Sequence, residues 1–329
     1  MPRILSIQSH VVSGYVGNKA ATFPLQLLDF DVDAINTVQF SNHTGFNVWK
    51  GERTDPQTVL ELFEGLRLNG LDDYSHLLTG YMGNADSINV TRTILDQLRA
   101  KNPEIFYVLD PVLGDDGNLY VPEEMIPLYR TQLLPLANLV TPNQFEIELL
   151  TETKISNKAD AQKAMDIIHN LGVPNVVITS CDLGEYSPDT DRKRLHLFGS
   201  QRCPSSNPDD PEPVYRRFQI DFPKLDGYFT GTGDLFCALL LARLTGPQAA
   251  VPISSPDSLA RACEMAIATM AAVMRRTLQA QQIAGVVYQP NLPRSQRPSS
   301  LVRHCELQLI KSKKDIGEPV VEYRAMTLE

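Results

Sequence analysis

The residues best placed for chemistry in this chain are Gly231-Thr232-Gly233-Asp234, which stand directly before an apolar run at 235–244. Two glycines let a backbone approach a ligand closely, and the first N–H groups of a helix have no partner within it. A helix that starts here therefore makes an anion site. A carboxylate at the same helix start has two uses: it can cap the helix, a contribution of about 1 kcal/mol, or serve as a general base beside the bound anion. The tetrapeptide alone leaves both open. Competing patterns are missing. Gly14-Tyr-Val-Gly-Asn-Lys19 has the wrong spacing for G-x-x-x-x-G-K-[ST], no G-x-G-x-x-G follows a strand, and neither H-R-D nor D-F-G occurs. The six histidines show no metal spacing such as H-E-x-x-H.

The elements that must position this motif follow from hydrophobic periodicity. Short, β-branched-rich runs at 3–8, 32–38, 76–79, 105–109, 138–140 and 175–178 predict strands. Amphipathic stretches at 18–28, 56–68, 86–100, 123–134, 144–150 and 159–171 predict helices between them. Regular alternation of this kind implies right-handed crossovers and a parallel sheet covered on both faces, the α/β class. Past residue 180, two strands at 195–200 and 214–220 predict a hairpin at the sheet edge. The four prolines of 203–213 make their connection a solvated loop, and 289–300, with three prolines, predicts a second one. Helices are expected at 234–244, apolar on nearly every face and hence buried, and at 258–282.

Open parallel sheets bind ligands beyond the carboxyl ends of their strands. The residues that follow the predicted strands are Ser9, Gly80-Tyr81, Asp110, Thr141-Pro142-Asn143 and Thr179-Ser180. Strands end in such residues in any protein, so each alone says little; together they predict one polar crevice.

Composition narrows the function classes. With 329 residues, 43% hydrophobic and 21% charged, the chain has apolar surface enough for a large core, and a single domain spanning 1–329 is the expectation. Thirty basic against 39 acidic residues give a net charge of −9. With no long basic run, this excludes nucleic acid and anionic membranes as partners. No apolar stretch approaches the ~20 residues of a membrane span, and Met1-Pro2-Arg3 leads straight into a strand-like segment rather than a signal peptide. The five cysteines are odd in number, scattered and free of C-x-x-C pairs, which fits free thiols in a reducing cytoplasm.

Several stretches together resemble the pyridoxal kinases, a branch of the ribokinase-like superfamily. They are Ser6-Ile-Gln-Ser-His10, Gly14-Tyr-Val-Gly-Asn18, Val38-Gln-Phe-Ser-Asn-His-Thr-Gly45, Leu78-Thr-Gly-Tyr81, Asp110-Pro-Val-Leu-Gly-Asp115, Thr141-Pro-Asn-Gln-Phe-Glu146 and Gly231-Thr-Gly-Asp-Leu-Phe236. Order and spacing match over roughly 3–245, and 307–319 is similar to the family's closing segment. The last motif is common to the superfamily of small-molecule hydroxyl kinases; the first three carry the vitamin B6 assignment.

The resemblance implies a three-layer α/β/α sandwich with a mostly parallel sheet. It also implies transfer of the ATP γ-phosphoryl group to the 5′-hydroxymethyl of pyridoxal, pyridoxine or pyridoxamine. By the same resemblance Asp234 is the catalytic base and Gly231, Thr232 and Gly233 form the anion hole. Ser9 and Thr44 are the polar handles of the vitamer, and Val16, Phe40 and Tyr81 line its pyridine ring. Asp110, Asn143 and Glu146 lie near the ATP phosphates, with Asp110 and Glu146 near Mg²⁺ or another divalent cation. Asp115, Thr141 and Thr179 match a site for K⁺ or Na⁺. Ser180 and Thr179 sit beside ATP, and Leu225 and Phe229 flank its adenine and ribose. Residues 115–120 form a compact loop suited to closing over ATP. The resemblance also implies a homodimer, which the cysteine pattern places in the cytoplasm. Phe46 stands where many relatives have Tyr, which removes a hydroxyl and keeps the ring. His10 and His43 lie inside matched motifs and receive no chemical role. Two other readings compete: a different ribokinase-like kinase, for hydroxymethylpyrimidine or a sugar, and a catalytically silent B6- or nucleotide-binding protein. Ser9 with Thr44 speaks against the first, and the intact run from Gly231 to Asp234 against the second.

Overall fold

A computed structural model describes residues 1–186, 193–204, 213–286 and 298–328. Six parallel strands form the centre of one ten-stranded sheet: β1 (Arg3–Ser13), β2 (Asp31–Asn42), β4 (His76–Thr79), β5 (Phe106–Leu109), β8 (Leu139–Val140) and β9 (Asn175–Cys181). Their spatial order is β2-β1-β4-β5-β8-β9. Beyond β9 the long antiparallel strands β10 (Arg194–Cys203) and β11 (Val214–Pro223) continue the sheet, and the two-residue β12 (Met326–Thr327) closes that edge. At the other edge β3 (Gly51–Arg53) pairs antiparallel with β2. A separate hairpin joins β6 (Gly114–Asp115) to β7 (Asn118–Leu119).

Period-two alternation shows why the chain builds three layers. Leu5, Leu77, Tyr107, Leu109, Val140, Val176 and Ile178 point to one core. It also takes Val59 and Phe63 of α2 (Pro56–Leu68), Ile94 and Leu98 of α3 (Ala85–Lys101), Met125 of α4 (Met125–Leu128), Ile147 of α5 (Gln144–Thr151) and Met165 of α6 (Lys158–Asn170). The intervening residues Ile4, Leu78, Val108, Leu139 and Val177 point to a second core, filled by Leu25 of α1 (Asn18–Leu27), by α7 (Thr232–Thr245) and by α8 (Ser258–Ile283). All ten residues from Leu235 to Leu244 of α7 are buried, as its unbroken apolar sequence requires. The chain ends across this face, where Leu307 and Leu309, between α9 (Ser299–His304) and α10 (Lys313–Gly317), and Ile316 of α10 are fully buried.

Three differences from the periodicity reading have physical causes. β1 and β2 run well past the expected ends at residues 8 and 38 and pair with each other from Ser9↔Val38 to Ser13↔Asn42, after a register shift at Gln8/Ser9. With β3 they form an arm beyond the carboxyl end of the sheet. The helix expected at 123–134 is only one α turn, then a π turn at Tyr129–Leu133 and a 3₁₀ turn at Leu134–Leu136. Pro135 has no N–H and its ring crowds the carbonyl four residues back, so regular α geometry cannot persist to it. Ser299 and Ser300, expected in loop, begin α9. Most of the two proline-rich loops, 205–212 and 289–297, lies outside the described residues. All five cysteines are buried and free, and no described helix is long and apolar enough to cross a membrane.

Candidate active site

The start of α7 is built against the loop between β1 and α1. Gly231 takes a left-handed conformation (φ 78°), and a Cβ there would lie well within 3.0 Å of the Tyr15 carbonyl oxygen. Only glycine lets the two segments meet so closely. Asp234 then falls in the first turn of α7, half-buried, and no side chain caps that helix. Its carboxylate accepts the Gly17 N–H, which belongs to the facing loop. The carboxylate thus lies beside the facing loop and close to Asp110, at the mouth of the helix. Burial raises its pKa from the ordinary value, and the Gly17 bond pulls it part of the way back. The Ser9 hydroxyl lies against Gly17 as well, within 3.0 Å of where a Cβ would stand.

Val16, Phe40 and Tyr81 are brought together. With Val11 and Val38 they make a small apolar cluster at the root of the β1–β2–β3 arm, which Tyr81 joins to the first main core. Thr37 Oγ1 donates to the Tyr81 carbonyl (2.7 Å), and Arg53 Nη1 donates to the Tyr81 hydroxyl (3.1 Å). Trp49 packs on Phe40 with ring centres 4.6 Å apart and planes tilted by 39°, and 40% of its surface is exposed. Thr44 is exposed in the turn between β2 and β3. Phe46 keeps its ring against His43, centroids 4.9 Å apart.

The carboxylates form a second cluster. Asp110 follows β5 and is 5% exposed; a Cβ on Gly233 would be 3.9 Å from its Oδ2, so it faces the start of α7. Burial first, then Glu146 and Asp234, push its pKa well up. Asn143 and Glu146 form a capping box on α5: Asn143 Oδ1 accepts from Glu146 N and Glu146 Oε2 from Asn143 N, both at 2.9 Å. Glu146 Oε1 also accepts the Leu113 N–H (3.0 Å) and the longer Gly114 N–H (3.5 Å), and Asn143 Nδ2 donates to the Gly114 carbonyl (2.8 Å). The base of the β6–β7 hairpin is thus clamped to α5, while Asp115 at its edge is exposed. Burial raises Glu146 to about 8 against those three N–H donors.

Thr141 is buried and its hydroxyl donates to Cys237 Sγ (3.4 Å), one turn along α7 from Asp234. Thr179 and Ser180 are half-buried near the end of β9, with the Thr179 N–H on the Pro142 carbonyl (3.0 Å). Lys224 pairs with Asp182 (2.9 Å), which draws the segment containing Leu225 and Phe229 toward that strand end. Leu225 lines a shallow cleft with Leu278 and Gln282.

Among the described residues no three His, Cys, Asp or Glu side chains form a cation site by themselves. Asp110 nevertheless suits a divalent ion brought with a phosphate ligand. It offers hard oxygen donors, and no described hydrogen-bond donor reaches its carboxylate, which faces two others. Glu146 has both oxygens engaged by backbone N–H groups, so it orients the Asp110–Asp115 segment more directly than it could ligate.

Sequence reasoning missed Trp49, Cys237 and Glu306. Trp49 is the chain's one tryptophan, a signal that went unused. Glu306 has no local signal, because its partners His43 and Tyr15 lie 263 and 291 residues away.

Comparison with known proteins agrees with this geometry. The phosphomethylpyrimidine kinase family model matches residues 35–208. Pyridoxal kinase of Homo sapiens is 44% identical over 333 residues, covering 99% of this chain and 98% of its own. Pyridoxal kinase of Arabidopsis thaliana is 45% identical over 323 residues, covering 98% and 94%. The structure of Leishmania donovani pyridoxal kinase in complex with ADP and pyridoxamine superposes over all of both chains with a TM-score of 0.82 at 33% identity.

Proposed function

This chain belongs to the pyridoxal kinase family, and we propose that in its ATP-dependent phosphorylation of vitamin B6 the Asp234 carboxylate is the general base. It takes the proton of the 5′-hydroxymethyl group of pyridoxal, pyridoxine or pyridoxamine as that oxygen attacks the γ-phosphorus and ADP leaves. The observation that carries the role is the carboxylate's direction: it accepts from Gly17 across the crevice and does not cap α7. The N–H groups of Gly231, Thr232 and Gly233 meet the charge that spreads over the transferred phosphoryl.

Val16, Phe40 and Tyr81 form the apolar wall for the pyridine ring, with Ser9 and Thr44 as its polar handles. The grouping of the three apolar residues in one small cluster at the root of the arm supports this. Thr179, Ser180, Leu225 and Phe229 hold the nucleotide, with Asn143 and Glu146 fixing the hairpin beside its phosphates. Mg²⁺ or another divalent cation, held by Asp110, neutralises phosphate charge when bound. Asp115, Thr141 and Thr179 offer oxygen donors to K⁺ or Na⁺. The working form is a homodimer in the cytoplasm; the five free buried thiols fit that compartment.

The deciding experiment incubates the purified chain with pyridoxal, ATP, Mg²⁺ and K⁺ and follows pyridoxal 5′-phosphate by absorbance. Asp234→Asn keeps an oxygen for the Gly17 N–H and loses the base. Its kcat should fall by ~10² or more with little change in KM for ATP. An unchanged kcat would remove Asp234 from the chemistry.

A further inference from the structure

One carboxylate ties together two loops that the substrate pocket needs. Glu306 comes from the C-terminal segment and its side chain is 13% exposed. Oε2 accepts the Tyr15 N–H at 2.9 Å, and Oε1 lies 3.1 Å from His43 Nε2. The other ring nitrogen, His43 Nδ1, accepts the Gly45 N–H at 3.1 Å. An acceptor at Nδ1 carries no proton, so the proton of the neutral ring is on Nε2 and is donated to Glu306. A Cβ on Gly14 would meet the Glu306 carboxyl carbon and both its oxygens within 3.0 Å, so glycine there leaves the room that the carboxylate occupies.

Of the two tethered loops, one faces Asp234 and the other carries Thr44. Tyr15 is followed by Val16 of the apolar cluster and by Gly17, the donor to Asp234. His43 and Gly45 flank Thr44. The segment carrying Glu306 is itself anchored. Gln308 N donates to Thr277 Oγ1 (3.1 Å), Arg276 pairs with Asp315 (2.7 Å), and Arg243 donates to the Ile316 and Gly317 carbonyls (2.5 and 2.9 Å). Arg243 is in the last turn of α7, so the helix that presents Asp234 at one end holds the Glu306 segment at the other.

We propose that Glu306 is a positioning residue for the vitamer, holding the Thr44-Gly45 turn through the His43 ring and the Val16-Gly17 loop through the Tyr15 N–H. This rests on the B6-kinase reading above. Its role is to fix the separation of two loops beyond the point where the β1–β2 pairing ends at Ser13 and Asn42.

The test compares the full-length chain with Glu306→Gln, His43→Asn and the double variant, by steady-state kinetics in pyridoxal and ATP and by the ¹⁵N signals of the His43 ring. In Glu306→Gln the amide oxygen still accepts from Tyr15. The amide hydrogens face Nε2, so the ring moves its proton to Nδ1 and loses Gly45. KM for pyridoxal should rise about tenfold, the size expected for one hydrogen bond to a charged group, while KM for ATP moves less than about twofold. His43→Asn retains an acceptor for Gly45 but is too short for Glu306. Its KM for pyridoxal should rise similarly, and the double variant should be no worse than the poorer single. An unaltered KM for pyridoxal in Glu306→Gln, effects that multiply in the double variant, or equal rises in both KM values with a lowered Tm would each overturn the proposal. If the unmodified chain phosphorylates no vitamer, the functional reading fails and the positioning role with it. Turnover with an indifferent Glu306→Gln sinks the positioning role alone.

Discussion

Gly17→Ala puts the geometry of the site to a quantitative test. Gly17 holds φ 53° and ψ −135°, a conformation that residues with a Cβ avoid, and a methyl there would press within 3.0 Å of the Ser9 carbonyl oxygen and hydroxyl. Backbone strain of this kind costs about 1–3 kcal/mol, and overpacking a further 1–3 kcal/mol or so. Shifting the 14–17 loop costs less than that sum, so the loop moves. Movement separates the Gly17 N–H from the Asp234 carboxylate, a hydrogen bond to a charged group contributing roughly 1.5–3 kcal/mol. If the bond orients the base in the transition state, kcat/KM for pyridoxal should fall by about 10- to 150-fold. Gly65→Ala is the control: nothing lies within 4 Å of its Cβ, it sits inside α2, and it should raise Tm slightly without touching the kinetics. A Gly17→Ala enzyme with kcat/KM within about threefold of the unmodified chain and a lowered Tm would show that the Asp234 bond is structural and refute the reasoning.

Two further outcomes follow from the carboxylates. The folded pKa of Glu146, about 8, is above its ordinary 4.5, so the folded state binds that proton more tightly than the unfolded chain does. Its contribution to stability is complete below 4.5 and is lost as pH rises to about 8, at ~1.4 kcal/mol per pH unit. The difference in Tm between Glu146→Gln and the unmodified chain, measured by calorimetry at pH 5, 7 and 9, should therefore shift steadily toward the variant; a constant difference would contradict it. Asp110→Asn should tighten ATP binding in EDTA and remove most of the gain that Mg²⁺ gives the unmodified chain, as read by titration calorimetry. Equal Mg²⁺ dependence in both would take Asp110 out of the cation's neighbourhood.

What the sequence disclosed, and what it hid, divides along the range of the interactions. The parallel strands, α2, α6, α7 and α8 were legible because burial imposes local periods of two and 3.6 residues on them. The glycine-rich motif at 231–234 was legible because a left-handed residue before a buried helix restricts residue type. Val16, Phe40 and Tyr81 look alike in sequence to any core residue, and only family resemblance grouped them before the fold did. The arm made by β1, β2 and β3 was hidden, since its strands are stabilised by each other outside the main sheet and alternate weakly. Glu306 was hidden more completely: nothing near it in the chain reveals that its carboxylate meets Tyr15 and His43. Asp234 kept two readings in sequence because its residue type and place suit both, and the Gly17 N–H beside it is what the fold adds in favour of the second.

The same three carboxylates that burden the fold explain why the site is arranged as it is. Asp110, Glu146 and Asp234 are close enough to raise the pKa of Asp110 beyond what burial does alone. Glu146 has its oxygens engaged by three N–H groups, so its carboxyl organises the hairpin base. Asp234 is compensated in part by one N–H. Asp110 has neither, and a negatively charged nucleotide entering beside it would meet repulsion unless a cation came too. An uncompensated buried charge costs several kcal/mol, which is why the proton is held so tightly on Asp110, and a cation bound there would favour the ionised form instead. On the proposed reading, the crevice would favour metal-bound over bare nucleotide before any chemistry occurs, and Asp234, whose charge a neighbouring N–H moderates, would be the carboxylate that meets the hydroxyl proton.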